Sequence, residues 1–305
     1  MVEKTDKIWY NGEFVDWDDA NTHLLTHTLH YGMGVFEGIR CYDTESGDSA
    51  VFRLQEHIRR LFDSAKICNM EIPYTQEEIV EACLNTLREN ELSNGYIRPL
   101  VFYGAGEMGV LPADNPVEVA IITWPWGAYL GDEALEKGVA VKVSTFSRHY
   151  PNSMMTRGKI IGNYVNSILA KIEANQDGYH EGILTDTDGY ISEGSGENLF
   201  MIRDEEIRTT SPSTILKGIT RDTAIQIAEE FGYDVVEAKF TRDDLYIADE
   251  LFFTGTAAEI TPIRQVDKRD IADGTPGPIT KKIQKRFFDI VEGKVDEYDD
   301  WLTYL

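Results

Sequence analysis

Lys159 stands in TRGKIIGNY (156–164), between Gly158 and Gly162 and five residues before Tyr164, where the flanking chain turns apolar and helical. At its ordinary pKa near 10.4, only about one lysine in 2,500 is neutral at pH 7. A nucleophilic lysine therefore needs desolvation, a neighbouring cation, or storage as a Schiff base. The plain alternative is a solvated surface lysine, the commonest kind.

Other residues decide what such an amine could work with. In LKGITRD, Gly218-Ile219-Thr220 stands at a helix start, where backbone N–H groups and the helix dipole favour a dianion. TGTAAE (254–259) offers a second small-residue turn, with the hydroxyl of Thr256. Glu193 ends the strand-like GYISEG, and Tyr164 supplies a phenol. A phosphate cradle, a carboxylate for a ring nitrogen and a donor for a ring oxygen are what pyridoxal phosphate requires beside its lysine. The same parts also serve as a helix cap, a turn, a surface glutamate and a core tyrosine, so spacing alone leaves both readings open.

Three further patterns lead elsewhere and are set aside. GAGEMG (104–109) matches GxGxxG, but VLPADNPVEV follows it with two prolines and no helix to face a pyrophosphate. His23, His27 and His30 have helical spacing, yet no Cys or carboxylate stands in phase, and ANTHLLTHTLHYG has poor helix signals. No metal site is expected. EGSGE lacks the first glycine of a nucleophile elbow, which argues against a serine hydrolase.

The elements that must hold these residues can be read in outline. IWY and EFV flank Asn11-Gly12, a type I′ hairpin pair. AVF leads into a helix with Ile58, Leu61, Phe62 and Ala65 on one face. Thr75 and Glu78 have capping-box spacing and open a second helix, which carries Ile79, Cys83 and Leu87 inward and ends near Ser93-Asn94-Gly95. YIRPLVFY and VEVAIITW read as strands; Tyr96 and Arg98, two apart, point to one face. Past the turn-rich TWPWGAYLGDE, GVAVKVSTF is a strand and NYVNSILAKIEANQ an amphipathic helix with Val165, Ile168, Leu169 and Ile172 in phase. Two hairpins follow, around Thr187-Asp188-Gly189 and between NLFMIRD and EIRTTS, with helices over 220–231 and 278–291. Hairpins with interspersed helices indicate an α+β fold. The expected domains are residues 1–123, an interdomain loop over 124–135, and a larger C-terminal domain over 136–305 that carries Lys159.

The bulk numbers bound the function. With 305 residues and 42% hydrophobic content, the chain can bury a sizeable core, and its length suits two domains or one large one. No apolar run reaches about 18 residues, and the charged start MVEKTDKIWY is not a signal peptide. Fifty-three acidic residues against 29 basic ones give a net charge of −24, which should repel nucleic acid and anionic membranes. The acids are spread along the chain as a solvated surface, with adaptation to high salt as the sharper reading. Cys41, Cys68 and Cys83 are odd in number and lack CxxC spacing, as expected of a reducing cytoplasm.

From the hairpin at residue 8 to about residue 291, the sequence resembles the branched-chain amino acid aminotransferases of pyridoxal phosphate fold type IV. HYGMGVFEGIRCY, EHIRRLFDSAK, YIRPLVF, WPWGAYLG, GNYVNS, GYISEGSGENLF, GITRD and GTAAEITP carry the resemblance, all in the family's order. It implies a two-domain α+β architecture with Lys159 as the Schiff-base lysine, Glu193 at the pyridine nitrogen and Tyr164 at the ring oxygen. Arg60, Ile219, Thr220 and Thr256 would hold the phosphate, with Leu216 under the ring; the choice of Arg60 over its neighbour Arg59 rests on the resemblance alone. Tyr96 and the N–H groups of Thr256 and Ala257 would hold the substrate's α-carboxylate. Phe36, Trp126, Tyr129 and Tyr164 would form apolar walls, while Arg98 and Tyr31 would meet glutamate's second carboxylate. The implied reaction is a ping-pong transfer between leucine, isoleucine or valine and 2-oxoglutarate. A D-amino acid aminotransferase or an aminodeoxychorismate lyase of the same fold is the alternative. A homodimer, or a higher oligomer built from dimers, is also implied, with Tyr31 and Val110 completing the neighbour's pocket.

Overall fold

The computed structural model describes residues 2–127 and 129–305. Its chain divides into two compact units. The first runs through Trp126 and takes in Gly158–Gly162 and Ile290–Leu305; the second comprises Gly127–Arg157 and Asn163–Asp289. The sequence reading placed everything beyond 136, Lys159 included, in one C-terminal domain. The lysine segment joins the first unit because it is stitched there by backbone contacts: Val35 bridges Ile160, and Phe36 N donates to Lys159 O at 3.1 Å.

In the first unit, β1 (Lys7–Tyr10) and β2 (Glu13–Asp16) form the hairpin whose turn residues Asn11 and Gly12 both take positive φ. A short helix α1 (His27–Tyr31) precedes β3 (Gly34–Phe36), β4 (Ile39–Asp43) and β5 (Ser49–Phe52). Local propensity did not forecast α1. Gly32 ends it in the left-handed region, donating to Thr28 O, and the Thr28 hydroxyl ties it to Met33 O and Tyr103 N. Then come α2 (Leu54–Ile67), α3 (Gln76–Glu89), β6 (Gly95–Tyr103) and β7 (Val117–Trp124). The Thr75–Glu78 capping box opens α3 as its spacing requires. This helix stops at Glu89, earlier than the Ser93-Asn94-Gly95 signal. The Asn90 side chain donates to Thr86 O and also to Lys7 O and Thr123 Oγ1, pulling the chain off the helix and onto the sheet. The sheet is antiparallel, ordered from the C-terminal strand Leu302–Tyr304 through β5, β4, β6, β7 and β1 to β2, with β3 also on β6.

The second unit holds α4 (Asp132–Lys137), β8 (Val139–Ser147), α5 (Tyr164–Gln176), the hairpin β9 (Glu181–Thr185) and β10 (Ile191–Gly194), and the hairpin β11 (Asn198–Arg203) and β12 (Glu206–Thr210). It continues through α6 (Ile219–Glu230), β13 (Val235–Ala238), α7 (Arg242–Tyr246), β14 (Glu250–Gly255), β15 (Glu259–Val266), the two-residue β16 (Arg269–Asp270) and most of α8 (Pro278–Val291). Its mixed sheet runs β10-β9-β8-β15-β14-β11-β12-β13. Val141, Ile183, Leu199, Phe253 and Ile263 are buried in its core. One expectation is reversed. The apolar stripe of α5, Val165, Ile168, Leu169 and Ile172, faces outward, and the helix packs inward through Ser167, Ala170 and Ala174. Ala170 O lies 3.0 Å from where a Cβ on Gly182 would stand, so small residues let helix and strand approach closely.

Among the described residues, no helix is long and apolar enough to cross a membrane.

Candidate functional site

The pleat of β6 sorts the first unit into two faces. Cα partners across the sheet share a face, and register pairs Phe36 with Leu100, Arg40 with Tyr96, Tyr96 with Trp124 and Arg98 with Ile122. Alternate positions, Val35, Ile39, Ile97, Val101 and Ile121, are fully buried with Leu54, Ile58 and Leu61 of α2. The core thus takes one face, and Phe36, Arg40, Tyr96, Arg98 and Trp124 are left on the other.

That second face is aromatic around two guanidinium groups. Tyr96 packs edge-on against Trp126, with ring centroids 4.6 Å apart, and tilts against Trp124 at 4.9 Å. Arg40, buried, donates from Nη2 to Trp126 O at 2.9 Å. Arg98 Nη2 donates to the Tyr96 hydroxyl at 3.2 Å. Gly38 makes the arrangement possible, because a Cβ there would stand 1.8 Å from Tyr96 Oη. In FEGIR this glycine reads as any loop glycine; only the approach of a ring from another strand reveals its purpose.

Lys159 is half-buried and held by its backbone. Its N–H donates to Ser64 Oγ at 3.0 Å, the Ser64 hydroxyl donates to Arg60 O at 2.7 Å, and Gly162 N donates to Gly32 O at 3.0 Å. Lys159 Nζ lies 5.0 Å from the Phe36 ring centroid. The Arg60 guanidinium grips the fully buried Glu37, with Nε to Oε1 at 2.6 Å and Nη2 to Oε2 at 2.9 Å; His57 Nδ1 is 2.7 Å from Oε2. Burial alone would raise the Glu37 carboxyl, but Arg60 and His57 outweigh it and hold it well below the usual carboxylate range. Burial in turn pulls His57 below its ordinary value against the opposing pull of Glu37, which favours the neutral imidazole. Sequence reasoning missed Glu37 and His57. The available signal was His57 and Arg60 at i, i+3 on α2, close enough to share one acid.

The second unit gathers a different set. Glu193, buried near the end of β10, accepts from Leu216 N at 3.2 Å and from Asn198 Nδ2 at 3.4 Å through Oε2. Arg148 Nε stands 2.7 Å from Glu193 Oε1, an ion pair whose N–H is not aligned for a hydrogen bond. Arg148 is itself fixed by Ser167 Oγ at 3.0 Å and Asn166 Oδ1 at 3.3 Å, both on α5, the helix that opens at Tyr164. Asn198 Nδ2 also donates to Leu216 O at 2.9 Å. A Cβ on Gly218 would come within 2.1 Å of Asn198 Oδ1, so Asn198, another residue missed from sequence, explains that glycine. The first turn of α6 has Ile219 and Thr220 buried and no side-chain cap from Gly218. Thr256 and Ala257 lie in the turn between β14 and β15, with Tyr129 N donating to Ala257 O at 3.4 Å. Glu197 is pushed up to about 8 by burial and by nearby Glu181, so at neutral pH it is mostly protonated beside Glu193.

The structure therefore brings Phe36, Tyr96, Arg98 and Trp126 together in one unit, and Glu193 and Leu216 in the other. Tyr31 and Val110 are exposed. Their segments are tied by His27, whose Nε2 is 2.7 Å from Gly109 O. Chemically, a buried ionised carboxylate, a helix start with no side-chain cap and a backbone-anchored lysine suit a ligand with a basic ring nitrogen, a dianionic end and a carbonyl.

Residues 34–266 match the family model described as amino-transferase class IV. The chain is 54% identical over 303 residues to the branched-chain-amino-acid aminotransferase of Pseudomonas aeruginosa, spanning 99% of this chain and 98% of that one. It superposes on the crystal structure of the Escherichia coli branched-chain amino acid aminotransferase with a TM-score of 0.96, at 48% identity, covering 98% and 99% of the two chains. A third solved structure, a branched-chain amino acid aminotransferase complexed with N-(5'-phosphopyridoxyl)-L-glutamate, gives 0.95 at 46% identity, with 99% of each chain covered.

Proposed function

The chain belongs to the branched-chain amino acid aminotransferases of class IV, and from that premise we propose that it moves the amino group of leucine, isoleucine or valine to 2-oxoglutarate in two separable half-reactions. Transamination is the family's activity, and its cofactor is pyridoxal 5′-phosphate. When bound, the cofactor supplies a carbonyl that takes up the amino group and a ring that withdraws electrons from the substrate's Cα.

The chain's residues take these roles in the proposal. In the first unit, the Lys159 amine holds the cofactor between turnovers and moves the Cα proton, as a base fixed by its backbone bonds to Ser64 and Phe36. Arg60, steadied by Glu37, presents its charge to the phosphate. Tyr96 orients the α-carboxylate, Phe36 and Trp126 wall the side chain, and Arg98 meets a second carboxylate when the donor is glutamate. In the second unit, the buried Glu193 carboxylate faces the ring nitrogen, held by Asn198, Leu216 N and Arg148. Tyr164 donates to the ring oxygen and Leu216 supports the ring. The first turn of α6, with Ile219 and Thr220, binds phosphate, as does Thr256. Tyr129 adds an apolar wall, and the N–H groups of Thr256 and Ala257 bind the α-carboxylate.

The observation that carries this reading is the second face of β6. Its rings suit leucine, while its half-buried Arg98 makes no ion pair with an acid among the described residues and so is available to glutamate. The solved relative in complex with a glutamate adduct supports both donors sharing one pocket. The test is a half-reaction. Enzyme loaded with the cofactor is expected to be yellow, to bleach with L-leucine alone, and to release one 2-oxo acid per site before any acceptor is added. Release only after 2-oxoglutarate is present would overturn the two-step scheme.

The working unit in this proposal is a homodimer or an oligomer of dimers. Leu24, Leu29, Val110 and Leu111 are strongly exposed in the first unit, and the α5 stripe is exposed in the second, which suits burial by a second copy. Tyr31 and Val110 then complete the neighbour's pocket. Mixed chains carrying Lys159→Ala and Tyr31→Ala are expected to recover glutamate turnover that neither homodimer has. Verified heterodimers that stay inactive would remove the shared-site proposal. Its three cysteines are free, which suits the cytoplasm; recovery of the enzyme in a membrane or exported fraction would count against that placement.

A further inference from the structure

Arg98 poses a problem that the two kinds of donor sharpen. Its guanidinium is half-buried, with Nε buried and lacking a hydrogen-bond partner and Nη2 reaching only the Tyr96 hydroxyl. A charge so placed is costly unless something answers it. Three ring faces do so: the Arg98 Cζ lies 4.8 Å from the Phe36 centroid, 5.2 Å from that of Tyr96 and 5.7 Å from that of Trp124. Of these side chains, an indole offers a cation the strongest ring face. Trp124 is also well braced. It is the cross-strand partner of Tyr96 on β7, with ring centroids 4.9 Å apart, and its ring lies 5.7 Å from that of Trp126.

We propose that Trp124 is a positioning residue for substrate choice, its ring face answering the Arg98 charge whenever an apolar side chain fills the pocket. The proposal rests on the reading of Arg98 as the residue that meets the second carboxylate. An entering leucine side chain strips water from the guanidinium and brings no charge, so the rings alone compensate. A glutamate side chain brings its own carboxylate and depends on the ring less. Removing the indole therefore penalises the apolar ligand more than the dianionic one, so the ring is what lets one pocket accept both.

The test uses two inert ligands, 4-methylpentanoate and glutarate, binding to the cofactor-loaded enzyme and followed by calorimetry. Trp124→Leu keeps apolar bulk without a ring. It is expected to weaken 4-methylpentanoate relative to glutarate by about 2- to 30-fold. A tetrafluorinated tryptophan placed at position 124 alone keeps the shape while depleting the ring face, and is expected to shift the ratio the same way; Trp124→Phe shifts it less. In an Arg98→Ala background, Trp124→Leu should leave the ratio unchanged, since no charge remains to answer. A shift that persists without Arg98 would make Trp124 a plain wall and overturn the proposal, as would no shift with either ring-depleting variant. If Arg98→Ala by itself fails to weaken glutarate selectively, the reading of Arg98 falls and takes the inference with it. If that variant is selective and the Trp124 variants are not, the inference alone falls.

Discussion

Lys159→Ala protein, loaded with pyridoxal 5′-phosphate and reduced with borohydride, is expected to release all its cofactor on denaturation. The unaltered chain should retain it as a fixed mass increment on residue 159. The backbone of Lys159 is fastened by Ser64 Oγ and Phe36 N, neither of which depends on the side chain, so the variant should fold and still bind the cofactor by its other contacts. Catalysis is a different matter. A positioned acid–base group alone contributes roughly 10²- to 10⁴-fold, and the covalent role is lost with it, so transamination should fall by at least that much. Retention of the mass increment elsewhere, or near-normal turnover, would show that another amine does the work.

Arg98→Ala is expected to separate the two donors. Leucine has no second carboxylate and should change little in kcat/KM. Glutamate loses a charged hydrogen-bond partner, a cost of roughly 1.5–3 kcal/mol, or about 10- to 150-fold. The aromatic face should survive the change, since Tyr96 is also packed against Trp124 and Trp126 and Gly38 leaves room for its ring. Equal losses for both donors would mean that the arginine props up the pocket and does not read the side chain.

What could be read before the structure was mostly local. Asn11-Gly12 and the Thr75–Glu78 box each specify their geometry within four residues, and both occur as the spacing requires. The period of α5 was equally plain, but period defines a stripe and not what covers it. Packing against β8 and β9 went to Ser167, Ala170 and Ala174, because small side chains allow the close approach and leave the larger apolar ones outside. Within the candidate site, Tyr96 and Arg98 share a face by strand geometry alone. Glu37, His57, Gly38, Asn198 and Trp124 were silent. Each acquires its meaning from a partner well removed along the chain, such as the Arg60 guanidinium 23 residues from Glu37 or the Trp124 ring beside Arg98.

The two faces of β6 have a consequence for how such a protein can vary. Positions 96, 98 and 100 are on the ligand side and positions 97 and 101 are in the core, so one strand carries two sets of constraints that hardly overlap. Substitutions on the first set can retune what is bound while stability stays nearly constant, because they leave the Ile97 and Val101 contacts intact. Insertions and deletions have no such freedom. Loss of a single residue would turn Tyr96 and Arg98 into the hydrophobic interior and push the aliphatic side chains out, inverting recognition and core together. Diversification at this strand is therefore expected to proceed by exchange of side chains at fixed length.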